Sequence, residues 1–348
     1  MHISAEQRPD PLKPIPLTVL TGFLGAGKTT RLNAWLKDPA FADTLVIINE
    51  FGAVGLDHLL IEEAQGDMLL MAAGCLCCTI RGDLVATLED LLRRRDNDRI
   101  RFFRRVIIET TGLADPLPIL QAVLQHPYLA KRFSIASVLT LVDAVHGAST
   151  LGDHAEARRQ VALADALVLT KTDLADTAAQ NTTIGAAREI NPFAPWLDEG
   201  DALRPEALAR PLFRPERLDE ADLKAWLGLN PGLSHVPGHD PNRHGKAIEA
   251  FAFVSDARVT EGQLIVFREA MRMLLGPKLL RLKGLVAMAD RPDQPMLIHH
   301  VQSVSEPPVR LQKWPTRDRR TRIVVIAQGA ERVQIEGFWN ALTQPQSV

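Results

Sequence analysis

The chain has 348 residues, room for two domains of about 150 residues each, and its 46% hydrophobic and 24% charged residues exclude a disordered or fibrous protein. A formal net charge of −2 provides no basic field for phosphate backbones, so we expect no nucleic-acid partner. The N-terminus lacks a basic stretch followed by an apolar core, and no apolar run reaches the roughly 18 residues of a membrane span, so we expect a cytoplasmic protein without membrane contact.

The first half of the chain repeats one pattern, in which a short aliphatic run is followed by a turn with Gly or Asp and then by a helix-compatible segment. The aliphatic runs lie at 17–21, 44–49, 105–109, 137–142 and 166–170. The helix-compatible segments lie at 29–37, 83–95, 117–124 and 154–164. Because such runs are typical of strands buried on both faces, the pattern predicts an α/β fold with a parallel sheet flanked by helices.

The first of these strands leads directly into GFLGAGKT at 22–29, which fits the phosphate-binding pattern GxxxxGK[ST], the P-loop. In this pattern glycines let backbone N–H groups curl around phosphate oxygens, and the N-terminus of the next helix adds partial positive charge. Lys28 is expected to contact the β and γ phosphates, and the Thr29 hydroxyl to bind Mg²⁺. The residues predicted to bind nucleotide here are Gly22, Gly25, Ala26, Gly27, Lys28, Thr29 and Thr30. A P-loop NTPase is the expected fold, and the alternative is a glycine-rich turn that binds nothing.

The three cysteines of the chain, Cys75, Cys77 and Cys78, lie within four residues, so they cannot form a disulfide framework. Thiolates are soft ligands that favour Zn²⁺ or Cu(I) over Mg²⁺, and three of them leave one tetrahedral position open. We therefore predict a metal site that can hand over its ion, in the segment where P-loop GTPases carry their nucleotide-sensing switches. Two other interpretations stay open, buried apolar cysteines and a redox pair, although adjacent cysteines form a strained disulfide.

The strand at 105–109 ends in Glu109, which is followed by TTG with its glycine at Gly112. A carboxylate in this place suits the Mg²⁺ shell of a P-loop enzyme, and a glycine N–H suits the γ-phosphate. Both residues are therefore predicted to be catalytic together with Lys28 and Thr29. The alternative is a glutamate that only ends a strand in solvent.

The strand at 166–170 leads into TKTD, which resembles the guanine-reading [NT]KxD loop of GTPases. Guanine presents ring and exocyclic N–H donors that one carboxylate can accept as a pair. Asp173 would therefore select guanine over adenine, with Lys171 over the base and Thr170 in the place where Asn is commoner. GTP and GDP are the expected ligands, and the alternative is a charged turn between strand and helix.

The composition changes near Asn230, where Pro, Gly, Asn and His replace apolar periodicity and predict a loop. Strands are predicted beyond it at 250–254, 281–288, 296–304 and 322–327, and helices at 262–275 and 333–342. The predicted organisation is a P-loop GTPase domain at 1–229, a linker at 230–246 and a smaller α+β C-terminal domain at 247–348.

Several segments together resemble the CobW family of P-loop GTPases, which are regarded as metal chaperones or metallocentre insertases. The segments GFLGAGKTT, INEFG followed by GLD, GCLCC, ETTGLADP and TKTD occur in this order. The C-terminal half resembles the same family in RLKGLVAM at 281–288, HHVQ at 299–302, and KWP followed by TRIVVIAQ. The resemblance covers most of the chain.

The resemblance implies a zinc-binding GTPase that couples GTP binding and hydrolysis to transfer of a transition metal to a client metalloprotein. It implies Zn²⁺ at the Cys-x-Cys-Cys motif and Mg²⁺ at Thr29, with Asp57 of GLD near the Mg²⁺ and Glu50 of INEFG near the metal or the γ-phosphate. Two departures stand out: Ala53 replaces an acidic residue of some relatives, and the dense histidine run of many relatives is reduced to scattered histidines in the loop.

Other functions stay open at this point. Thiolates do not separate zinc from cobalt, so a cobalt or iron inserter for cobalamin synthesis or nitrile hydratase is an alternative. A P-loop small-molecule kinase or a non-catalytic, nucleotide-gated binding module are further ones. No arginine finger can be assigned, so we expect slow intrinsic turnover unless a second subunit of a homo-oligomer or the client supplies the missing group.

Overall fold

The aliphatic runs of the first half lie side by side in one sheet of the computed structural model, which describes residues 13–49, 61–63, 69–73, 80–197, 248–302, 304–305 and 307–343. Among these residues, the sheet has eight strands. They are β1 (Ile15–Gly22), β2 (Thr44–Asn49), β3 (Ile61–Glu63), β4 (Leu69–Ala73), β5 (Arg105–Glu109), β6 (Phe133–Asp143), β7 (Ala166–Thr170) and β8 (Trp196–Leu197). The spatial order is β3-β4-β2-β5-β1-β6-β7-β8.

All neighbouring strands of this sheet run parallel except β3, which pairs antiparallel with β4 at the edge. The predicted α/β fold with a parallel sheet is therefore confirmed, with an antiparallel edge strand that the sequence pattern did not indicate. β1 lies at the centre, between β5 and β6. Because parallel strands end at the same edge, the segments after these three strands meet there, which is where α/β sheets bind ligands.

Seven helices accompany this sheet in the described part of the chain. They are α1 (Lys28–Lys37), α2 (Ile80–Asp96), α3 (Leu117–Gln125), α4 (Leu129–Arg132), α5 (Gly147–Asp153), α6 (Ala155–Leu163) and α7 (Thr177–Ile190). The sequence pattern missed α7, because two of the three residues that it buries, Thr183, Ala187 and Ile190, are small or polar and hide the apolar stripe. It also placed the start of β6 four residues late, at 137 instead of Phe133.

The C-terminal unit has its own antiparallel sheet, which fits the predicted α+β domain. Its described strands are β9 (Ile248–Ser255), β10 (Leu279–Val286), β11 (Met296–Val301), β12 (Val304–Ser305), β13 (Val309–Arg310) and β14 (Thr321–Gln328), and its helices are α8 (Glu261–Leu275) and α9 (Arg332–Thr343). Helix α8 begins with a capping box between Thr260 and Gln263. Side chains from both helices, such as Phe267 and Trp339, pack with Ile298 and Val325 of the sheet in one apolar core.

The strand predicted at 296–304 is interrupted in the structure. β11 ends at Val301 because Gln302 takes a left-handed backbone conformation with φ of 50°, and its side-chain amide donates to Pro277 O at 3.0 Å. His299 and His300 have buried side chains near the end of this strand, and burial lowers the pKa of His300 to about 3. The predicted domain boundaries at 229 and 247 lie outside the described residues and stay predictions. None of the described helices is long and apolar enough to cross a membrane.

Candidate nucleotide-binding site

The loop between β1 and α1 has the backbone that its glycines predict. Gly25 and Gly27 take left-handed conformations, with φ of 73° and 85°, which residues with a side chain rarely adopt. Gly22 is required for space, because a Cβ there would lie 2.5 Å from the Leu141 carbonyl oxygen of β6. The loop is therefore held against the sheet and leads directly into the N-terminus of α1, where backbone N–H groups favour anions.

The side chain of Lys28 folds back across this loop. Its ammonium donates to Gly22 O at 2.8 Å and to Phe23 O at 3.0 Å, and the residue is only 8% exposed. Burial lowers the pKa of Lys28, while the nearby Glu109 carboxylate raises it in part. Phosphate oxygens bound in this loop would replace the two carbonyls as hydrogen-bond partners of the desolvated ammonium.

Thr29 and Glu109 come from different elements and meet beside the loop. The Thr29 hydroxyl donates to Glu109 Oε1 at 3.2 Å. Glu109 is 4% exposed, so it is not a strand end in solvent. A buried carboxylate next to a hydroxyl is the hard oxygen pair that suits Mg²⁺, so these two residues fit the ion that the P-loop pattern implies.

The ends of β1 and β5 are tied together next to this pair. The Thr110 N–H donates to Leu20 O at 2.9 Å, and the Thr110 hydroxyl donates to the Thr21 hydroxyl at 2.8 Å in a buried contact. Gly112 follows in the same segment, and a Cβ on it would lie 2.5 Å from the Leu24 nitrogen. The backbone of Gly112 therefore packs directly on the phosphate-binding loop.

The loop after β7 is attached to the same P-loop. The Thr170 side chain is buried, and its hydroxyl lies 2.9 Å from Ala26 O and 3.2 Å from Val142 O, in hydrogen-bond contact with both. A threonine hydroxyl can thus link the two loops in the place where Asn is commoner. Lys171 follows with a left-handed φ of 58°, a strained conformation that is frequent at functional sites.

Lys171 is held in place by Asp143 at the end of β6. The Lys171 ammonium lies 2.6 Å from Asp143 Oδ2, and Asp143 Oδ1 accepts the N–H groups of Val145 at 2.7 Å and His146 at 3.2 Å. Burial pushes the pKa of Asp143 up, but these hydrogen bonds, led by the one from Lys171, outweigh it and lower the pKa. The ion pair fixes the end of the Lys171 side chain, and the neighbouring Asp173 is exposed.

Sequence reasoning missed several residues of this site. Asp143 is one, although an Asp that directly follows a long apolar strand was a signal that could have found it. His154 is another, because its ring stacks on Phe23 of the P-loop with centroids 4.5 Å apart. Gln160 and Gln180 each donate to two loop carbonyls, and no local sequence pattern indicates either contact.

The predicted metal ligands fall outside the described residues. These are Glu50, Cys75, Cys77 and Cys78, and the same holds for the predicted Mg²⁺ residue Asp57. Within the part of the chain that the structure describes, no group of three or more His, Cys, Asp or Glu side chains could hold a metal ion. The zinc site therefore stays a prediction.

Comparison with known proteins places this site in a family. The model of the CobW/HypB/UreG nucleotide-binding domain matches residues 16–198, and that of the cobalamin synthesis protein cobW C-terminal domain matches residues 248–343. The chain is 30% identical to the zinc chaperone CobW of Pseudomonas aeruginosa over 93% of this chain and 90% of that protein. It is 42% identical to the zinc chaperone YjiA of Escherichia coli over 48% of this chain, a match that spans 52% of YjiA.

A solved structure extends the likeness to both units. The crystal structure of Zn(II)-bound YjiA GTPase from E. coli aligns with 95% of this chain and 100% of its own, with a TM-score of 0.71 and 27% identity. The first family model alone matches more than half of the chain, and a relative with 30% identity covers nearly all of it. The chain therefore belongs to the CobW family, with the nucleotide-binding domain followed by the CobW C-terminal domain.

Proposed function

We propose that this chain is a zinc-binding GTPase that acts as a metallochaperone, coupling GTP binding and hydrolysis to transfer of the metal to a client metalloprotein. GTP binding and hydrolysis are supported mainly by Lys28, Thr29 and Glu109, which lie together at one edge of the sheet. The Thr29 hydroxyl and Glu109 Oε1 are 3.2 Å apart. The metal half is supported by the cysteine motif and by the similarity to proteins named zinc chaperone and to a Zn(II)-bound GTPase.

The phosphates would be bound by the loop and by Lys28. Their oxygens would replace the Gly22 and Phe23 carbonyls as partners of the Lys28 ammonium, and their negative charge would offset the desolvation of that group. Thr29 and Glu109 would hold Mg²⁺, which neutralises charge on the β and γ phosphates when it is bound. Gly112, whose backbone packs on Leu24, would donate its N–H to the γ-phosphate while water attacks in line.

Guanine would be selected by the exposed carboxylate of Asp173. It accepts the ring N–H and the exocyclic amino group of guanine, whereas adenine presents an acceptor in place of the ring N–H. The Lys171 stem, held by the ion pair with Asp143, would lie along the base. Thr170 connects this loop to Ala26, so base binding and phosphate binding share one rigid frame.

Metal and nucleotide would be coupled through the segment between Glu50 and Glu109, which contains all three cysteines. If GTP tightens zinc binding, zinc must tighten GTP binding by the same factor. Hydrolysis then loosens the metal site and releases the ion to the client. Co²⁺ in place of Zn²⁺ is the alternative that thiolate chemistry leaves open.

The test is nucleotide turnover by the purified full chain with Mg²⁺. We expect GTP hydrolysis on the order of 10⁻⁴ to 10⁻³ per second without a client, as for P-loop GTPases that lack an arginine finger, and at least about tenfold slower ATP hydrolysis. Thr29→Ala should lower GTP turnover further, because it removes a ligand of the ion. A preference for ATP would favour the kinase alternative, and no GTP turnover under any metal condition would refute the proposal.

A further inference from the structure

Residues 110–116 connect β5 to α3 and include Gly112. A side chain of helix α6 binds the backbone of this segment. Gln160 of that helix is 1% exposed. Its Nε2 donates to Gly112 O at 3.1 Å and to Ala114 O at 3.0 Å. One side-chain amide therefore fixes the backbone on both sides of residue 113.

The direction of this amide is determined by its partners, because only the NH₂ end can donate to two carbonyls. The oxygen end of the amide lowers the stability of the fold, because Gln160 Oε1 is buried and has no hydrogen-bond partner among the described residues. An apolar side chain of similar size would avoid that cost. The two donated hydrogen bonds are therefore the feature that a glutamine supplies here.

The remaining contacts leave the segment little freedom. On one side Gly112 meets the Leu24 backbone, where even a Cβ would come within 2.5 Å. On the other side, Arg159 Nε lies 2.6 Å from Asp115 Oδ2. The Gln160 backbone is itself anchored, since its carbonyl accepts the Thr140 hydroxyl of β6 at 3.1 Å.

We propose that Gln160 is a positioning residue for GTP hydrolysis, which holds the 112–114 backbone so that the Gly112 N–H meets the γ-phosphate. This inference rests on the proposed GTPase function. The proposal predicts different effects on GDP binding and on GTP hydrolysis. GDP has no γ-phosphate, so its affinity does not depend on the two hydrogen bonds from Gln160. Hydrolysis and the binding of a non-hydrolysable GTP analogue do depend on them.

The chain offers a matched control on the other nucleotide loop. Gln180 of α7 also donates from Nε2 to two loop carbonyls, Thr172 O and Ala175 O, each at 3.0 Å. Its loop carries Asp173, which would contact the base and not the γ-phosphate. Gln160→Met and Gln180→Met thus remove the same kind and number of hydrogen bonds from two loops with different tasks.

The experiment measures kcat and KM for GTP, and the Kd for fluorescently labelled GDP, on both variants of the full chain. For Gln160→Met we expect kcat to fall about 10- to 100-fold, as for two lost hydrogen bonds, with the GDP Kd changed by no more than about threefold. For Gln180→Met we expect a weaker GDP affinity, with a loss of kcat at saturating GTP that is smaller than the loss in Gln160→Met.

Equal losses of kcat in the two variants, or a Gln160→Met enzyme with wild-type kcat, would overturn the positioning role of Gln160. Gln160→Leu also has no donor and has a shorter side chain, so it should reproduce the loss, and it gives the decision if Gln160→Met does not bind GDP. Absence of GTP turnover in the wild type would instead refute the proposed function, which keeps the two failures distinct.

Discussion

Replacing Asp173 with asparagine is expected to weaken GTP binding by about a hundredfold or more and to let the protein bind xanthosine triphosphate. The carboxylate would accept two N–H donors of guanine, and each hydrogen bond to a charged group contributes about 1.5–3 kcal/mol, so two lost bonds correspond to roughly 10²- to 10⁴-fold in Kd. Asparagine presents an NH₂ donor, which matches the carbonyl that xanthine has in place of the guanine amino group.

The affinities of each protein for GTP and for xanthosine triphosphate can be measured by their competition with fluorescently labelled GDP or GTP. Asp176→Asn is the matched control: it is the same substitution in the same loop, and Asn can still accept the Ala179 N–H that Asp176 Oδ1 accepts at 2.8 Å. The control should keep wild-type GTP affinity. An Asp173→Asn protein with wild-type GTP affinity would show that TKTD is only a charged turn.

Replacing Cys77 and Cys78 together with serine is expected to lower zinc affinity on the order of a thousandfold or more, because a hydroxyl is a far poorer zinc ligand than a thiolate. Measured without zinc, GTP affinity should change by no more than about threefold, because the wild type then also lacks the bound ion that tightens GTP binding in the proposed cycle. Bound zinc is counted by chelator titration of the purified protein.

Lys28→Ala serves as the reciprocal control for this double variant. It removes the ammonium that folds over the phosphate-binding loop, so it should abolish tight GTP binding and keep the zinc stoichiometry of the wild type. Unchanged zinc stoichiometry in the double serine variant would refute the assigned site. It would leave buried apolar cysteines or a redox pair as the interpretation.

Several elements of the fold were predictable to the residue from local pattern. The strands at 44–49, 105–109 and 166–170 have the bounds that the sequence indicates, because each is an unbroken aliphatic run between polar turn residues. Helix α7 was not predictable in this way, since tertiary packing buries Thr183 and Ala187 rather than a stripe of large apolar residues. The left-handed turn at Gln302 is likewise set by a tertiary contact, with Pro277.

The residues of the candidate site likewise differ in whether local sequence was sufficient to predict them. Lys28 and Thr29 belong to a contiguous motif whose glycines fix the backbone, so local sequence was sufficient to predict them. Gln160 is 48 residues from Gly112, and only the packing of α6 beside β6 brings its amide to that segment. Asp143 is an intermediate case: its place after a strand was visible, but its ion pair with Lys171 follows from the strand order β6-β7.

The central claim is that nucleotide state controls zinc binding, and the most direct test is the zinc affinity of the wild-type protein in two states. Chelator competition would be carried out with Mg²⁺ and either a non-hydrolysable GTP analogue or GDP bound. A coupling free energy of ordinary size predicts about 5- to 150-fold tighter zinc binding in the GTP-analogue state, and equally tightened binding of the analogue by zinc. The same zinc affinity in both states would contradict the metallochaperone cycle.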